Sequence, residues 1–300
     1  MFKIFITNIA VYKFMKTVYF FHQFFMLNPR QLETLLDQNL HSIGCQDIVT
    51  NDSPTKMTRA GRFEDVDKML IKYLDQTTEY SIHDVAVSNG VTSLELRKLL
   101  CEKKIKFNLH ISDKFSAISI FRVNRSCEIY VDSQRDFAGG RTFFGIYGNP
   151  DLPNKFFLSR LIGKLFLKLW RERGNAIKEN CAVQQINLLH QSVINSMKDN
   201  NIEFLQYDVF ETSIYQRFDI VRCMNLLNLV YFPDEMLTKG LRLLKDSIKQ
   251  NGLFIVGKTN LDGVNNAAIY RKIDGKLELV QNIGDGSEIS HFISVPTLSD

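Results

Sequence analysis

The sequence predicts an α/β protein built on a doubly wound, mostly parallel sheet that ends in an antiparallel hairpin. Three observations lead there. Ser81 to Ser93 reads as a buried strand, a small-residue turn and a helix start in immediate succession. Further apolar runs follow, several with an acid or an asparagine at their exit. Near the end, Ala267 to Ile273 and Lys276 to Ile283 are β-prone runs joined by Asp274-Gly275, a dipeptide that favours a type I′ hairpin turn.

The first strand leads into Asp84-Val85-Ala86-Val87-Ser88-Asn89-Gly90, where Ala86, Ser88 and Gly90 at alternate positions leave little side chain between the backbone and a ligand. Thr92 and Glu95 have the spacing of a capping box, and Leu96, Leu99 and Leu100 give the following helix an apolar face, so its free N–H groups point at the turn. Phe107 to Asp113 is a second strand ending in a carboxylate. An acid about 20 residues beyond the glycine turn is the position that accepts hydrogen bonds from ribose hydroxyls in doubly wound nucleotide-binding sheets. Ile202 to Phe210 is a third apolar run with Asp208 at its exit, and Phe218 to Asn228 is a fourth. Leu237, Leu241, Leu244 and Ile248 then recur at helical spacing, with Asn251-Gly252 as the expected stop, and Leu253 to Lys258 is a fifth strand.

These segments resemble, in order, the motifs of class I S-adenosylmethionine (SAM)-dependent methyltransferases. D-V-A-V-S-N-G is similar to the family's acidic, glycine-rich first motif with Ala86 and Ser88 in place of two glycines. The block F-D-I-V, N-L-L-N, helix, N-G-L-F-I-V looks like the fourth-strand to fifth-strand region, including that of enzymes that esterify chemotaxis receptors. No receptor-docking helical domain is recognisable, so receptor esterification does not transfer. The resemblance covers Ser81 to Ile283 without the long insertion, and it implies a seven-stranded sheet ending in the antiparallel pair. Only Asn260 to Asn266 separates the fifth strand from the hairpin, which leaves no room for the helix many members place there. The resemblance further implies that Asp84, Ala86, Ser88 and Gly90 shape the methionine and ribose end of the cofactor and that Asp113 binds the ribose. Asp208 and Val209 would flank the adenine, and Asn225 would stand near the transferred methyl.

The chain has 300 residues, 45% hydrophobic and 23% charged, which suits one elaborated domain and suggests neither disorder nor a repeat array. Five widely spaced cysteines without a C-x-x-C pair favour a reducing, cytoplasmic compartment and argue against structural zinc. His83 and His110 are read as packing residues, and no metal is expected. Residues 1–80 are expected to be an N-terminal helical extension or lid, with Gln31 to Leu40 and Phe63 to Leu74 as candidate helices. The Phe-rich stretch before Leu27 is broken by Lys3, Lys13, Lys16 and His22, too often for a membrane-spanning helix. It fits an interfacial anchor, a packing extension, or sequence upstream of a later start at Met26. Residues 81–300 form the methyltransferase-like domain, and its tail from Gly284 is either a short cap or a peripheral strand.

An insertion at about 114–201 stands between the second and third strands. Ala117 to Arg122 and Cys127 to Asp132 look like a hairpin, and Phe137 to Asp151 reads as a Gly- and aromatic-rich loop. Lys155 to Lys178 is strongly amphipathic, with Arg160, Lys164, Lys168 and Arg171 as a basic stripe and Trp170 among the apolar residues. Seven basic residues against Glu172 concentrate the positive charge there. Such a helix packs on a core with a solvated face, or lies on an anionic membrane or partner. No nucleic-acid-reading motif accompanies the charge.

The reading that follows is a SAM-dependent methyltransferase acting on an unidentified acceptor, cytoplasmic, with peripheral membrane contact through 155–178 as an option for its setting. No residue stands out as a general base. Two rivals are a non-catalytic methyltransferase-like module for membrane or protein binding, and a NAD-dependent oxidoreductase, against which the incomplete G-x-G-x-x-G counts.

Overall fold

A computed structural model describes residues 60–125, 127–132, 137–142, 145–148, 157–198, 202–229, 232–260 and 262–294. The expectations for the Phe-rich N-terminus and for Gln31 to Leu40 lie outside them. In chain order the elements are α1 (Glu64–Ile71), β1 (Glu79–Val85), α2 (Val91–Glu102) and β2 (Lys106–Asp113). Next come β3 (Ala117–Asn124), β4 (Cys127–Asp132), β5 (Phe137–Thr142), β6 (Gly145–Gly148), α3 (Phe157–Asn180) and β7 (Ala182–Asn187). The chain continues through α4 (Gln191–Met197), β8 (Ile202–Gln206), β9 (Phe218–Met224) and α5 (Asp234–Ser247), then β10 (Ile248–Thr259), β11 (Asn265–Ile273), β12 (Lys276–Ile283) and α6 (Ser290–Ser294). Two compact units result, one from 60–114 with 189–294 and the other from 115–188.

The first unit holds a seven-stranded sheet in the order β12-β11-β10-β9-β1-β2-β8. Pairs among β8, β2, β1, β9 and β10 are parallel, and β11 and β12 are antiparallel. Numbered within this sheet the order is 3-2-1-4-5-6-7, the doubly wound arrangement with its switch point between β1 and β9. The parallel strands are read correctly because both their faces are covered, which demands nearly continuous apolar runs. Ile82, Ile220, Leu253 and Ile255 join one core with Leu70, Leu96, Leu100 and Val193 from the helices. Val85, Val221, Phe254 and Val256 join the other with Leu237, Leu241 and Leu244 of α5. The Asp274-Gly275 turn has positive φ at both residues, as its sequence predicts.

The second unit holds a five-stranded sheet, β6-β5-β4-β3-β7, whose pairs are all antiparallel. The expected loop at Phe137 to Asp151 is therefore corrected over its described part, which forms β5 and β6. Gly140 serves packing there: a Cβ on it would stand 2.5 Å from the Phe166 ring of α3. The bare backbone lets that aromatic side chain lie directly on the strand. Phe166 and Ile177 of α3 complete a core with Phe121, Ile129, Val131 and Phe137.

Two local expectations also change. The N-cap of α2 is Gly90, with φ 80° and no side-chain cap, so Thr92 is not a capping residue. Thr92 and Ser93 are buried in the first turn, and Glu95 accepts a hydrogen bond from the Gly61 N–H at 2.7 Å instead. Helix α5 stops at Ser247 rather than at Asn251-Gly252. Ile248 is fully buried and already pairs with Phe218 as the first residue of β10, so burial in the sheet overrides its helical spacing.

Candidate ligand-binding site at the strand ends

Three of the seven described non-glycine residues with positive φ stand just past the ends of β1 and β9. Ala86 and Ser88 have φ of 59° and 58°, and Asn225, directly after β9, has 61°. The left-handed region costs an ordinary residue about 1 to 2 kcal/mol, so these conformations persist because their surroundings hold them there. Ala86 and Ser88 stand where the resembled motif carries glycine, and they adopt the backbone that glycine would take. Gly90 has φ 80°, and a Cβ there would press on Val193 at 3.0 Å. The turn is thus shaped for close approach without its full set of glycines.

Asp113 closes the turn from the neighbouring strand. Its Oδ2 accepts the Ser88 N–H at 2.8 Å, while the Val87 N–H donates to the Ser112 carbonyl at 3.0 Å. The end of β2 therefore sets the path of the loop after β1. Asp208 follows β8, where its Oδ1 accepts the Phe210 N–H at 2.9 Å and its Oδ2 lies 3.0 Å from the Lys114 ammonium. Val209 beside it is buried. Asn225 uses its side chain on β10: Oδ1 accepts the Thr259 N–H at 2.7 Å. Thr259 Oγ1 in turn donates to Asn265 Oδ1 at 2.7 Å, and Asn265 Nδ2 donates to the Arg62 carbonyl at 2.7 Å and to Asp65 Oδ1 at 2.6 Å. This chain of bonds fastens the start of α1 to the ends of β9, β10 and β11.

Asp84 stands beneath the turn, with both its oxygens engaged. Oδ1 accepts from Arg222 Nε at 2.9 Å, and Oδ2 accepts from Arg222 Nη2 at 2.6 Å and from the Ser93 hydroxyl at 2.6 Å. Arg222 also donates through Nη1 to Asp67 of α1 and through Nη2 to the Thr92 carbonyl at 3.2 Å. Arg222 is wholly buried, and both acids nearly so. Burial alone would favour the neutral guanidine, but Asp67 and Asp84 outweigh it and raise the arginine pKa further. Burial pushes the carboxyl of Asp67 up to about 6, against the pull of Arg222. The acid of the first motif thus anchors the turn to β9 and α1.

The structure brings Ala86, Ser88, Gly90 and Asp113 together in one hydrogen-bonded turn, with Asp208, Val209 and Asn225 at the carboxyl ends of the same sheet. Arg222 and Asp67 support the turn from below, and the sequence reading missed them. An arginine inside the apolar run Phe218 to Met224 was the available signal, since a charge buried in a central strand needs a partner. His83 and His110 stand on β1 and β2, with His83 Nε2 2.8 Å from Ser112 Oγ and His110 Nδ1 2.8 Å from Glu203 Oε2. No described helix is long and apolar enough to cross a membrane.

No family model matches the sequence, and no curated protein matches it. Solved structures with a distant likeness include a putative SAM-dependent methyltransferase of Methanococcus maripaludis, 11% identical with a TM-score of 0.35 over 75% of this chain. This chain spans 63% of that protein's length. The N-methyltransferase NodS of Bradyrhizobium japonicum, solved with S-adenosylhomocysteine, is 11% identical with a TM-score of 0.33, covering 74% of this chain and 72% of NodS. A protein of Pyrococcus horikoshii is 13% identical with a TM-score of 0.36, covering 83% and 84%. At this distance the fold assignment rests on the strand order and pairing of the chain itself.

Proposed function

We propose that the first unit binds SAM at the carboxyl ends of its parallel strands and transfers the methyl group to an acceptor. The observation that carries this reading is the asymmetry of the sheet. A dinucleotide fold repeats its mononucleotide-binding half on both sides of the switch point. Here β1, α2, β2 and β8 complete one half, whereas the other turns antiparallel after β10. One nucleoside site therefore fits better than two, which favours an adenosyl cofactor over NAD.

The residues fit that group. The left-handed turn at Ala86 to Gly90 would admit its methionine and ribose end, and Asp113, which holds the turn, would also take the ribose hydroxyls. Asp208 and Val209 would border the adenine, and Asn225 would fix the backbone near the methyl. Asp84, with both oxygens on Arg222 and Ser93, acts on the cofactor through the turn it holds. A bound SAM would supply an electrophilic methyl on its sulfonium, and the chain would supply orientation and exclusion of water. The fold leaves the acceptor open, because acceptor chemistry is not a property of the sheet. A cytoplasmic setting agrees with the unpaired cysteines Cys101, Cys127, Cys181 and Cys223.

The test is a parallel calorimetric titration of the purified protein with SAM, S-adenosylhomocysteine and NAD. Saturable binding of the two sulfur compounds without NAD is the expected outcome. Binding at about 100 times the dissociation constant should add roughly 2.7 kcal/mol of stability. NAD binding alone would replace the reading with the oxidoreductase, and no binding by any of the three would leave a non-catalytic module.

A further inference from the structure

Among the described residues, helix α3 is covered on one side only. Phe166 and Ile177 are buried against the five-stranded sheet, and Trp170 packs on Phe121 with ring centroids 5.8 Å apart. Lys178 places its ammonium 4.8 Å from the Trp170 ring, so the indole is satisfied within the unit. The opposite side shows Leu161 and Leu165 one turn apart, 46% and 61% exposed, with exposed Lys164, Lys168 and Arg171 beside them. A single exposed leucine needs no explanation, but two on successive turns between lysines form an amphipathic surface that no other described residue covers. The charge is local: residues 155–178 carry seven basic side chains against one acid in a chain whose net charge is +4.

We infer that this face of α3 rests on an anionic lipid bilayer, with Leu161 and Leu165 entering the acyl boundary while Lys164 and Lys168 reach the headgroups. Charge complementarity selects an anionic partner, and the leucines select among anionic partners. A nucleic acid would engage the lysines and arginines but offers the leucines nothing. A stable protein interface requires about 800 Å² from each side with matched shape, more than two leucines and a few lysines present. A bilayer needs no matched shape, and lysine stems lying along apolar surface with their heads in the polar layer are characteristic of interfacial helices. This inference stands independently of the SAM reading.

The full chain is to be sedimented with vesicles of phosphatidylcholine alone and of phosphatidylcholine with phosphatidylserine. Binding should require phosphatidylserine and weaken as salt rises. Lys164→Glu with Lys168→Glu, and separately Leu161→Ser with Leu165→Ser, should each lower the partition coefficient at least about tenfold. Trp170 emission, set by its packing on Phe121, should stay unchanged in both and so report intact folding. In a second variant, Leu165→Trp, a new blue-shifted emission should appear on anionic vesicles. Three results would each overturn the inference: equal pelleting with neutral and anionic vesicles, full binding after the leucine replacements, or no shift at Trp in Leu165→Trp. Retention of heparin binding by the leucine variant, with vesicle binding also retained, would identify a general polyanion site instead.

Discussion

His83 and Asp84 are neighbours on β1, yet they enter opposite faces of the sheet, and those faces bury polar groups by different means. On the Asp84 face, Arg222 is enclosed between two carboxylates, and charge is tolerated because it is paired and hydrogen-bonded. On the His83 face, the imidazole lies 4.4 Å from the Phe218 ring and 5.1 Å from that of Tyr207, between centroids. Burial, with contributions from His110 and Arg217, pushes its pKa down to about 3 and keeps it neutral. One face depends on every member of its cluster being present, and the other on its imidazole staying neutral. Both support the same turn.

The largest expected effect comes from breaking the charged face. Arg222→Met would leave Asp67 and Asp84 buried without their counter-charge and should cost about 3 to 5 kcal/mol in urea unfolding. Adding Asp67→Asn and Asp84→Asn should restore much of that loss. A single variant as stable as wild type would show that the cluster is not closed to water. The only tryptophan, Trp170, lies in the other unit, so circular dichroism should show the loss without a matching change in its fluorescence.

The neutral face should respond to acid. Because the folded pKa of His83 is depressed, its contribution is fully present above pH 6.5 and is lost as the pH falls towards about 3. Asp67, raised to about 6, acts in the opposite sense and gains stability as the pH falls through that value. Comparison with His83→Phe isolates the histidine. Between pH 7 and pH 4.5 wild type should lose about 2 to 3 kcal/mol more than the variant. Parallel pH profiles would mean that His83 is charged, or exposed, in the folded protein.

The turn that both faces support gives the smallest effect. Ser88 already has the backbone of a glycine, so Ser88→Gly should change stability by less than about 1 kcal/mol, the relief of strain offsetting the added chain freedom. Ser88→Val should lose about 1 to 2 kcal/mol by thermal unfolding, since a β-branched residue tolerates positive φ poorly. Equal behaviour of the two would place Ser88 outside the left-handed region.

What the sequence revealed follows from the same physics. Parallel strands are buried on both faces, and so Phe107 to Asp113 and Phe218 to Met224 stand out as apolar runs. Ala86, Ser88 and Gly90 showed a turn because only small side chains permit close approach there. Arg222 was passed over because a hydrophobic pattern read along one strand does not show the partner opposite, although Asp84 is its register partner on β1. Strands β5 and β6 were hidden because glycine, normally a mark of loops, serves at Gly140 to admit Phe166. Position decides its meaning, and position is a tertiary fact. The capping box failed for a related reason: Thr92 and Ser93 face inward, and Ser93 bonds Asp84 rather than the helix end.

We propose the turn after β1, held between the charged and neutral faces, as the place where the cofactor binds. Amide hydrogen exchange with and without saturating S-adenosylhomocysteine tests it most directly. Exchange should slow from Ala86 to Val91 and at Val209 and Phe210, and should stay unchanged at the Asp274-Gly275 turn, which lies at the opposite end of the strands. Binding that leaves Ala86 to Val91 unprotected would contradict the account.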